Sequence, residues 1–378
     1  MNKIAIAFIP LLLISFVIPD DRCRSSKPYV MNITDTITDG PYVLYKNNQV
    51  YIKSVIQDSS AKGIRVDSVE VGNKMSVTFN IETDEPGVYF TVNLKEKLLN
   101  EKPEYKKVNK YAVISDIEGN FTAFRKLLQH TGVIDSAYNW TFGDGQLVLT
   151  GDFFDRGDKV TEVLWLIYSL EEKAKAAGGY VHFVLGNHEI MNMSGDLRYL
   201  NPKYPQTAYL LNENYVGGLY GENSELGRWL RTKNIVEKVG NILFAHGGIS
   251  TEMNNLDISL NKLNDISRPY YPDSLYKYRD DRLEVIYGDQ GPFWYRGYYD
   301  AKAPISVSQI DNTLRQYKVD HIATGHTVIA DTISFLFNGK LINTDVHHVK
   351  GHSEALLIED GKFYRVTMHG EKFLVMEK

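Results

Sequence analysis

Five apolar runs in this chain stop abruptly at a short polar cluster, and that repetition constrains the fold more than any other feature. "KYAVIS" runs into Asp116 and Glu118, and "GQLVLT" into Gly151 and Asp152, with Asp155 and Arg156 close behind. "YVHFVL" runs into Gly186, Asn187, His188 and Glu189, "NILFA" into His246, and "VDHIAT" into Gly325 and His326. Each run has the length and apolar content of a buried strand. Helical patterns lie between them. Phe121, Phe124, Leu127 and Leu128 share one face behind a capping Asn120, and "VTEVLWLIYSLEEKAKAAGG" reads as a helix stopped by Gly178-Gly179. Strands alternating with helices predict an α/β domain from about residue 108 onward. Chain ends of neighbouring strands in such a sheet converge on one edge, so the five clusters should share one crevice. Farther on, "NGK", "EDGK" and "HGEK" read as turns of a closing antiparallel sheet.

The preceding residues lack this alternation. "PYVLYKNNQVYIKSV" reads as a hairpin about Asn47-Asn48 and "KMSVTFNIETDEPGVYFTVNL" as a second pair of strands, followed by a charged linker, "KEKLLNEKPEYKKVNK". Residues 27–104 are therefore expected to form a small β-rich domain and 105–378 the domain that carries the clusters. At the N-terminus, Lys3 and the apolar run Ile4 to Ile18 suit a signal peptide or an uncleaved anchor over residues 1–26. The catalytic part is then expected outside the cytoplasm (periplasmic, secreted or membrane-anchored), touching a membrane only through that segment. Cys23 is the single cysteine, so no intramolecular disulfide forms, and the residues before it do not make a lipid-attachment signal. A formal net charge of −5, from 42 basic and 47 acidic side chains, gives no field that favours a nucleic-acid polymer.

A lone histidine after a strand is usually structural, and a lone Gly-Asp is usually a turn. Five strand ends all drawing on Asp, Glu, Asn and His are not explained that way. Carboxylate, amide oxygen and imidazole without thiolate suit manganese, iron, zinc or magnesium rather than a cysteine-rich structural zinc. The number of ligands implies two divalent ions, which hold a hydroxide for in-line attack while clamping phosphoryl oxygens. Asp116 and Glu118, two residues apart at a strand end, would repel each other without such a cation. His182 and His321 lie within strands and are expected to be packed. His347, His348 and His352, near Asp345, fit either the crevice or a solvated loop.

"SDIEGN", "GDFFDRGD", "GNHE", "AHGG" and "GHT", in that order, resemble the five signature blocks of the phosphoprotein phosphatase (PPP) family within the calcineurin-like metallophosphoesterases. "ELGRWLR" and "GPFWYRGYY" resemble its bacterial-type branch. The resemblance covers roughly residues 110 to 360 and leaves the first hundred without a counterpart. It implies a sandwich of two mixed β-sheets flanked by helices, with the N-terminal β-rich region added to it. It further implies that Asp116, Glu118 and Asp152 hold the first metal, that Asp152 bridges, and that Asn187, His246 and His326 complete the second site. His188 would protonate the leaving oxygen, oriented by Asp155, and Arg156 and Arg296 would hold phosphate oxygens. Arg296 in "WYRGY" fits a packed aromatic loop as well.

One position departs from the family. Its first block is Asp-x-His, whereas this chain has Asp116-Ile117-Glu118. An extra carboxylate hardens the site and favours manganese or magnesium, or else Glu118 turns away and leaves the site one ligand short. The expected activity is hydrolysis of phosphomonoesters, on a phosphoprotein or a small phosphate ester, by attack of a metal-bridging hydroxide. A nucleotide or diadenosine-polyphosphate hydrolase and a metal-bound but inactive binding protein are the alternatives.

Overall fold

The computed structural model describes residues 37–58, 63–273 and 280–377. The expected leader or anchor, residues 1–26 with Cys23, lies outside the described residues. Along the chain run β1 (Asp39–Lys46), β2 (Gln49–Asp58), β3 (Gly63–Val71), β4 (Thr78–Glu82), β5 (Tyr89–Asn93), β6 (Glu104–Tyr105), β7 (Lys110–Ile114) and α1 (Phe121–His130). Next come β8 (Gln146–Leu149), α2 (Val160–Ala176), β9 (Tyr180–Phe183), α3 (Asn187–Ser194), α4 (Lys203–Leu210), α5 (Glu225–Leu230), β10 (Val236–Val239) and β11 (Ile242–Ala245). Then follow α6 (Thr251–Asn255), α7 (Leu260–Ser267), α8 (Asp281–Tyr287), α9 (Val307–Tyr317), β12 (His321–Thr324), β13 (Ser334–Leu336) and β14 (Leu341–Asn343). The last strands are β15 (Glu354–Glu359), β16 (Lys362–Thr367) and β17 (Lys372–Glu377).

Two six-stranded mixed sheets form the body, in the orders β17-β16-β15-β7-β8-β9 and β13-β14-β12-β11-β10-β6. The polar clusters are therefore not carried by one sheet. Parallel β7, β8 and β9 carry the first three, and parallel β11 and β12, in the second sheet, carry His246 and His326. The "NGK" hairpin, β13–β14, likewise belongs to the second sheet, while "EDGK" and "HGEK" turn within the first. Both faces of β7, β8, β9, β11 and β12 are buried. Val113, Val148, Phe244, Ala323, Ile342 and Leu356 belong to one apolar cluster, whereas Ala112, Ile114, Leu147 and Leu149 pack into the other with the helices. Strands buried on both faces read as continuous apolar runs, which is why the sequence marks them so clearly.

Helix α2 is buried nearly all round, through Val163, Leu164, Trp165, Leu166, Ile167 and Tyr168. A helix apolar on every face needs cover on every face. It packs on β9 and, on other sides, on β1, β4 and β5. Trp165 donates its indole N–H to the Pro41 carbonyl at 2.8 Å, and its ring meets Phe79 edge-on at 5.0 Å. The expected hairpin is β1–β2, turning at Asn47 and Asn48 with φ of 50° and 63°, and the second pair is β4–β5. The charged linker is more ordered than its composition suggested. Glu104 and Tyr105 pair with β10, and Lys95 is buried against Glu171 of α2.

Candidate active site

All five strand ends meet at one end of the sandwich. A crevice of about 350 Å³ there is lined by Asp116, Glu118, Asp152, Arg156, His188, Arg296 and His326. Asp155, Asn187 and His246 lie behind that lining, hydrogen-bonded to it or facing it.

The backbone at these positions is unusual. Asp116, Glu118, Asp152, Asp155, Arg156 and His326 all have positive φ, between 47° and 70°. Left-handed backbone at non-glycine residues is uncommon and clusters at functional sites. The loops hold one another in this state: Asp116 N–H donates to the Gly151 carbonyl at 2.9 Å, Glu118 N–H to the Asp152 carbonyl at 3.0 Å, and Gly325 N–H to the His246 carbonyl at 2.9 Å. Glu189 adds a knot from the first turn of α3. Its carboxylate accepts the N–H groups of Gly186 at 2.7 Å, Asp152 at 3.0 Å and Phe153 at 2.7 Å.

Asp152 stands at the centre. Its Oδ1 accepts the His188 N–H at 2.9 Å, and its Oδ2 faces His246 Nε2 at 3.0 Å and His188 Nε2 at 3.7 Å. Glycine is required at 186, because a Cβ there would fall 2.2 Å from Asp152 Oδ1. Asp116 directs both carboxylate oxygens at the His326 N–H, at 3.1 and 3.2 Å.

The imidazoles test whether cations fit. His246 Nδ1 lies 2.7 Å from the Thr150 carbonyl, which only accepts, so the proton is on Nδ1. Nε2 then presents its lone pair to two oxygens, Asp152 Oδ2 and Asn187 Oδ1, each at 3.0 Å. Three acceptors facing one another need a positive charge between them. A second proton, on Nε2, answers the same need: burial opposes a charged His246, yet Asp152 beside it, with Asp116, pushes its pKa up to about 10, and a divalent cation would take that proton's place. Asp152, although buried, is held well below the usual carboxylate range by His246 and His188. Burial pushes Asp116 up to about 7, with His246 pulling it down and Asp152 pushing it up, and burial beside His246 drops His326 to about 2. His326 Nε2 is buried with no hydrogen-bond partner, free to face a cation. Among the described residues, two groups of donors lie within 4.8 Å of one another: Asp152, His246 and His326, and Glu118, Asp152 and His188. The donor set fits divalent cations, with Asp152 common to both groups. Asp116 stands outside these two groups, and Glu118 pairs with the Arg156 guanidinium.

On the crevice wall, His188 Nδ1 lies 2.5 Å from Asp155 Oδ2. Burial opposes the His188 imidazolium, but Asp152 and Asp155 raise its pKa overall. Arg296 donates to the His326 carbonyl at 2.7 Å and to Thr327 Oγ1 at 3.0 Å, while Phe293, Tyr295 and Tyr298 around it are packed. It is thus both part of an aromatic loop and a wall of the crevice.

His182 is buried between Glu237 and Gln146, and His321 Nδ1 lies 2.7 Å from the Gly339 carbonyl, both away from the site. His347 and His348 do line the crevice, whereas His352 is exposed. Three residues without an assigned role in the sequence join the site. Asp345, buried on the crevice floor, has its pKa raised well above the ordinary range by burial and then by Asp116. It follows the apolar β14, so its signal was the same strand-end pattern. Tyr199, 44% exposed, sets its ring 5.2 Å from that of His188, and Asn192 donates to Asp155 at 2.9 Å.

The model of the calcineurin-like phosphoesterase family matches residues 110–330. An uncharacterised protein of Schizosaccharomyces pombe is 30% identical over 229 residues, 57% of this chain and 65% of that one, so the chain spans just under two thirds of that relative. Shewanella-like protein phosphatase 2 of Arabidopsis thaliana is 25% identical over 301 residues, 68% of this chain and 74% of its own length. Among solved structures, a cold-active protein-tyrosine phosphatase of a psychrophilic Shewanella is 33% identical, with a TM-score of 0.80 over 90% of this chain and 100% of that one. The family match covers all five clusters, and the likeness to the Shewanella enzyme takes in the two-sheet body that positions them; the chain belongs to the calcineurin-like phosphoesterase family.

Proposed function

We propose that this protein is a metal-dependent phosphatase that hydrolyses phosphomonoesters on proteins, with an aryl ester as the preferred leaving group. The observation that carries the proposal is the Asp155–His188 pair, at 2.5 Å, set in the wall of a crevice that also holds the carboxylate and imidazole donors. Asp116, Glu118, Asp152, Asn187, His246 and His326 would hold two divalent ions. When bound, such ions supply Lewis-acid charge for phosphoryl oxygens and activate the nucleophile at neutral pH. The oxygen-rich donor set suits manganese or magnesium.

The chain's own groups do the rest. Arg156 and Arg296 line the crevice and carry planar guanidinium groups matched to phosphate oxygens, Arg156 once it leaves Glu118 and Arg296 through the donors not spent on His326 and Thr327. Asp155 accepts the Nδ1 proton of His188, and Asp152 with Asp155 favours the imidazolium against burial, so Nε2 carries the second proton and donates it to the departing oxygen. An inactive binding protein would have no use for that buried pair. Tyr199 favours an aryl ester: its half-open ring flanks the proton donor, where the leaving group must lie, and the similar Shewanella structure is that of a protein-tyrosine phosphatase.

The test is a leaving-group series. His188→Asn should lower kcat on phosphotyrosine peptides by roughly 10²- to 10⁴-fold, lose far less on p-nitrophenyl phosphate, and keep its metal content. An equal loss on both substrates removes His188 as the acid. Matched phosphotyrosine and phosphoserine peptides turned over at equal kcat/KM by the unaltered enzyme would remove the aryl preference.

A further inference from the structure

Behind the Asp155–His188 pair runs a buried chain of hydrogen bonds that the reaction outlined above does not use. Asn192 Nδ2 donates to Asp155 Oδ1 at 2.9 Å and to the His188 carbonyl at 2.8 Å. Tyr215 donates its hydroxyl to Asn192 Oδ1 at 2.7 Å. Asn192 is fully buried and Tyr215 nearly so. Each orientation follows from chemistry. A carboxylate and a carbonyl only accept, so the amide NH₂ must face Asp155 and His188, which leaves the amide oxygen for Tyr215. The phenol must then donate, and burial, pushing its pKa well above the ordinary value, keeps it protonated.

We propose that Asn192 and Tyr215 are positioning residues that aim Asp155 at His188 and thereby hold the imidazole toward the leaving group. The inference rests on the proton-donor role proposed for His188. Asp155 needs the help, because it sits on a loop with φ of 70° and has one oxygen for each of two partners, Oδ2 for His188 and Oδ1 for Asn192. Without the amide, Oδ1 is left buried and unpaired, and the carboxylate can turn to satisfy it elsewhere. Asn192 is four residues after His188 on α3, so the helix itself puts both on one face. Tyr215 arrives from a separate segment and is held by its ring against Tyr204 and Tyr220, at 6.3 and 5.4 Å.

The experiment compares Tyr215→Phe and Asn192→Leu with the unaltered enzyme, holding metal, on a phosphotyrosine peptide and on p-nitrophenyl phosphate. Asn192→Leu should lower kcat on the peptide about 10- to 100-fold, and Tyr215→Phe several-fold, as losses behind a reacting group usually do. KM and metal content should hold, and p-nitrophenyl phosphate, which needs little acid, should be nearly unaffected. Added to His188→Asn, neither substitution should cost anything more, because the three act as one unit. Equal losses on both substrates, additivity with His188→Asn, or unchanged kcat on the peptide would each overturn the inference. Tyr215→Phe removes one oxygen only, so it decides the matter if Asn192→Leu fails to fold. Should His188→Asn show the leaving-group signature while these variants do not, the acid stands and the positioning falls; should His188→Asn lack it, both fall.

Discussion

Glu118 has two rival cations. Its carboxylate pairs with Arg156, yet it also lies within 4.8 Å of donor atoms from Asp152 and His188. A divalent charge outbids a half-exposed guanidinium at close range, because the solvated arginine keeps most of its stabilisation in water. Loaded enzyme should therefore hold Glu118 on the metal and free Arg156 for phosphate. Glu118→Ala is expected to reduce bound metal from about two ions per chain to about one, measured by elemental analysis, and to abolish turnover. Arg156→Ala should keep both ions and raise KM by an order of magnitude, on the order of 1–2 kcal/mol. Undiminished metal in Glu118→Ala would make Arg156 its true partner. Residues of this kind were legible in the sequence because each follows an apolar run. Asn192 and Tyr215 were not: one is a polar residue inside a short helix and the other one of 25 tyrosines, and nothing in spacing alone tells a buried hydrogen-bond relay from ordinary packing.

At the level of elements, the strand ends work because their backbones approach more closely than side chains would allow. Gly186 is the tightest case, with Asp152 Oδ1 and N standing 2.2 and 2.7 Å from where its Cβ would be. Gly186→Ala should push Asp152 aside, costing roughly 1–3 kcal/mol of stability and most of the bound metal, read as a lower Tm together with reduced metal content. An alanine variant with full metal would show that Asp152 can yield without loss. Local turn chemistry announced the Asn47-Asn48 hairpin and the glycine turns, since these depend on left-handed backbone at two or three residues. It could not say that β13–β14 joins the second sheet, nor that His246 and His326 face the other clusters from across a sandwich. Sheet membership is decided by long-range pairing, which leaves no mark on neighbouring residues.

For the molecule as a whole, an ionic cluster ties the segment before β6 to the body. Glu171 of α2 meets Lys95 and, at 2.7 Å, Lys233, which also reaches Glu101 at 3.0 Å. Burial opposes the Glu171 carboxylate, but the two lysines lower its pKa from 4.5 to about 2. A folded-state pKa below the unfolded one stabilises the protein above pH about 4.5, and that stabilisation drains away as pH falls toward 2. The gap in Tm between the unaltered protein and Glu171→Gln should accordingly be widest above pH 5 and shrink on acidification; a gap independent of pH would assign the loss to packing. A last consequence follows from the donors being split between two sheets, Asp116, Asp152 and Asn187 after β7, β8 and β9, His246 and His326 after β11 and β12. His326 lies 210 residues after Asp116, so a nascent polypeptide holds only part of the proposed donor set until β12 has been made. On the proposed function, hydrolytic power arises only once both sheets have formed and closed upon each other.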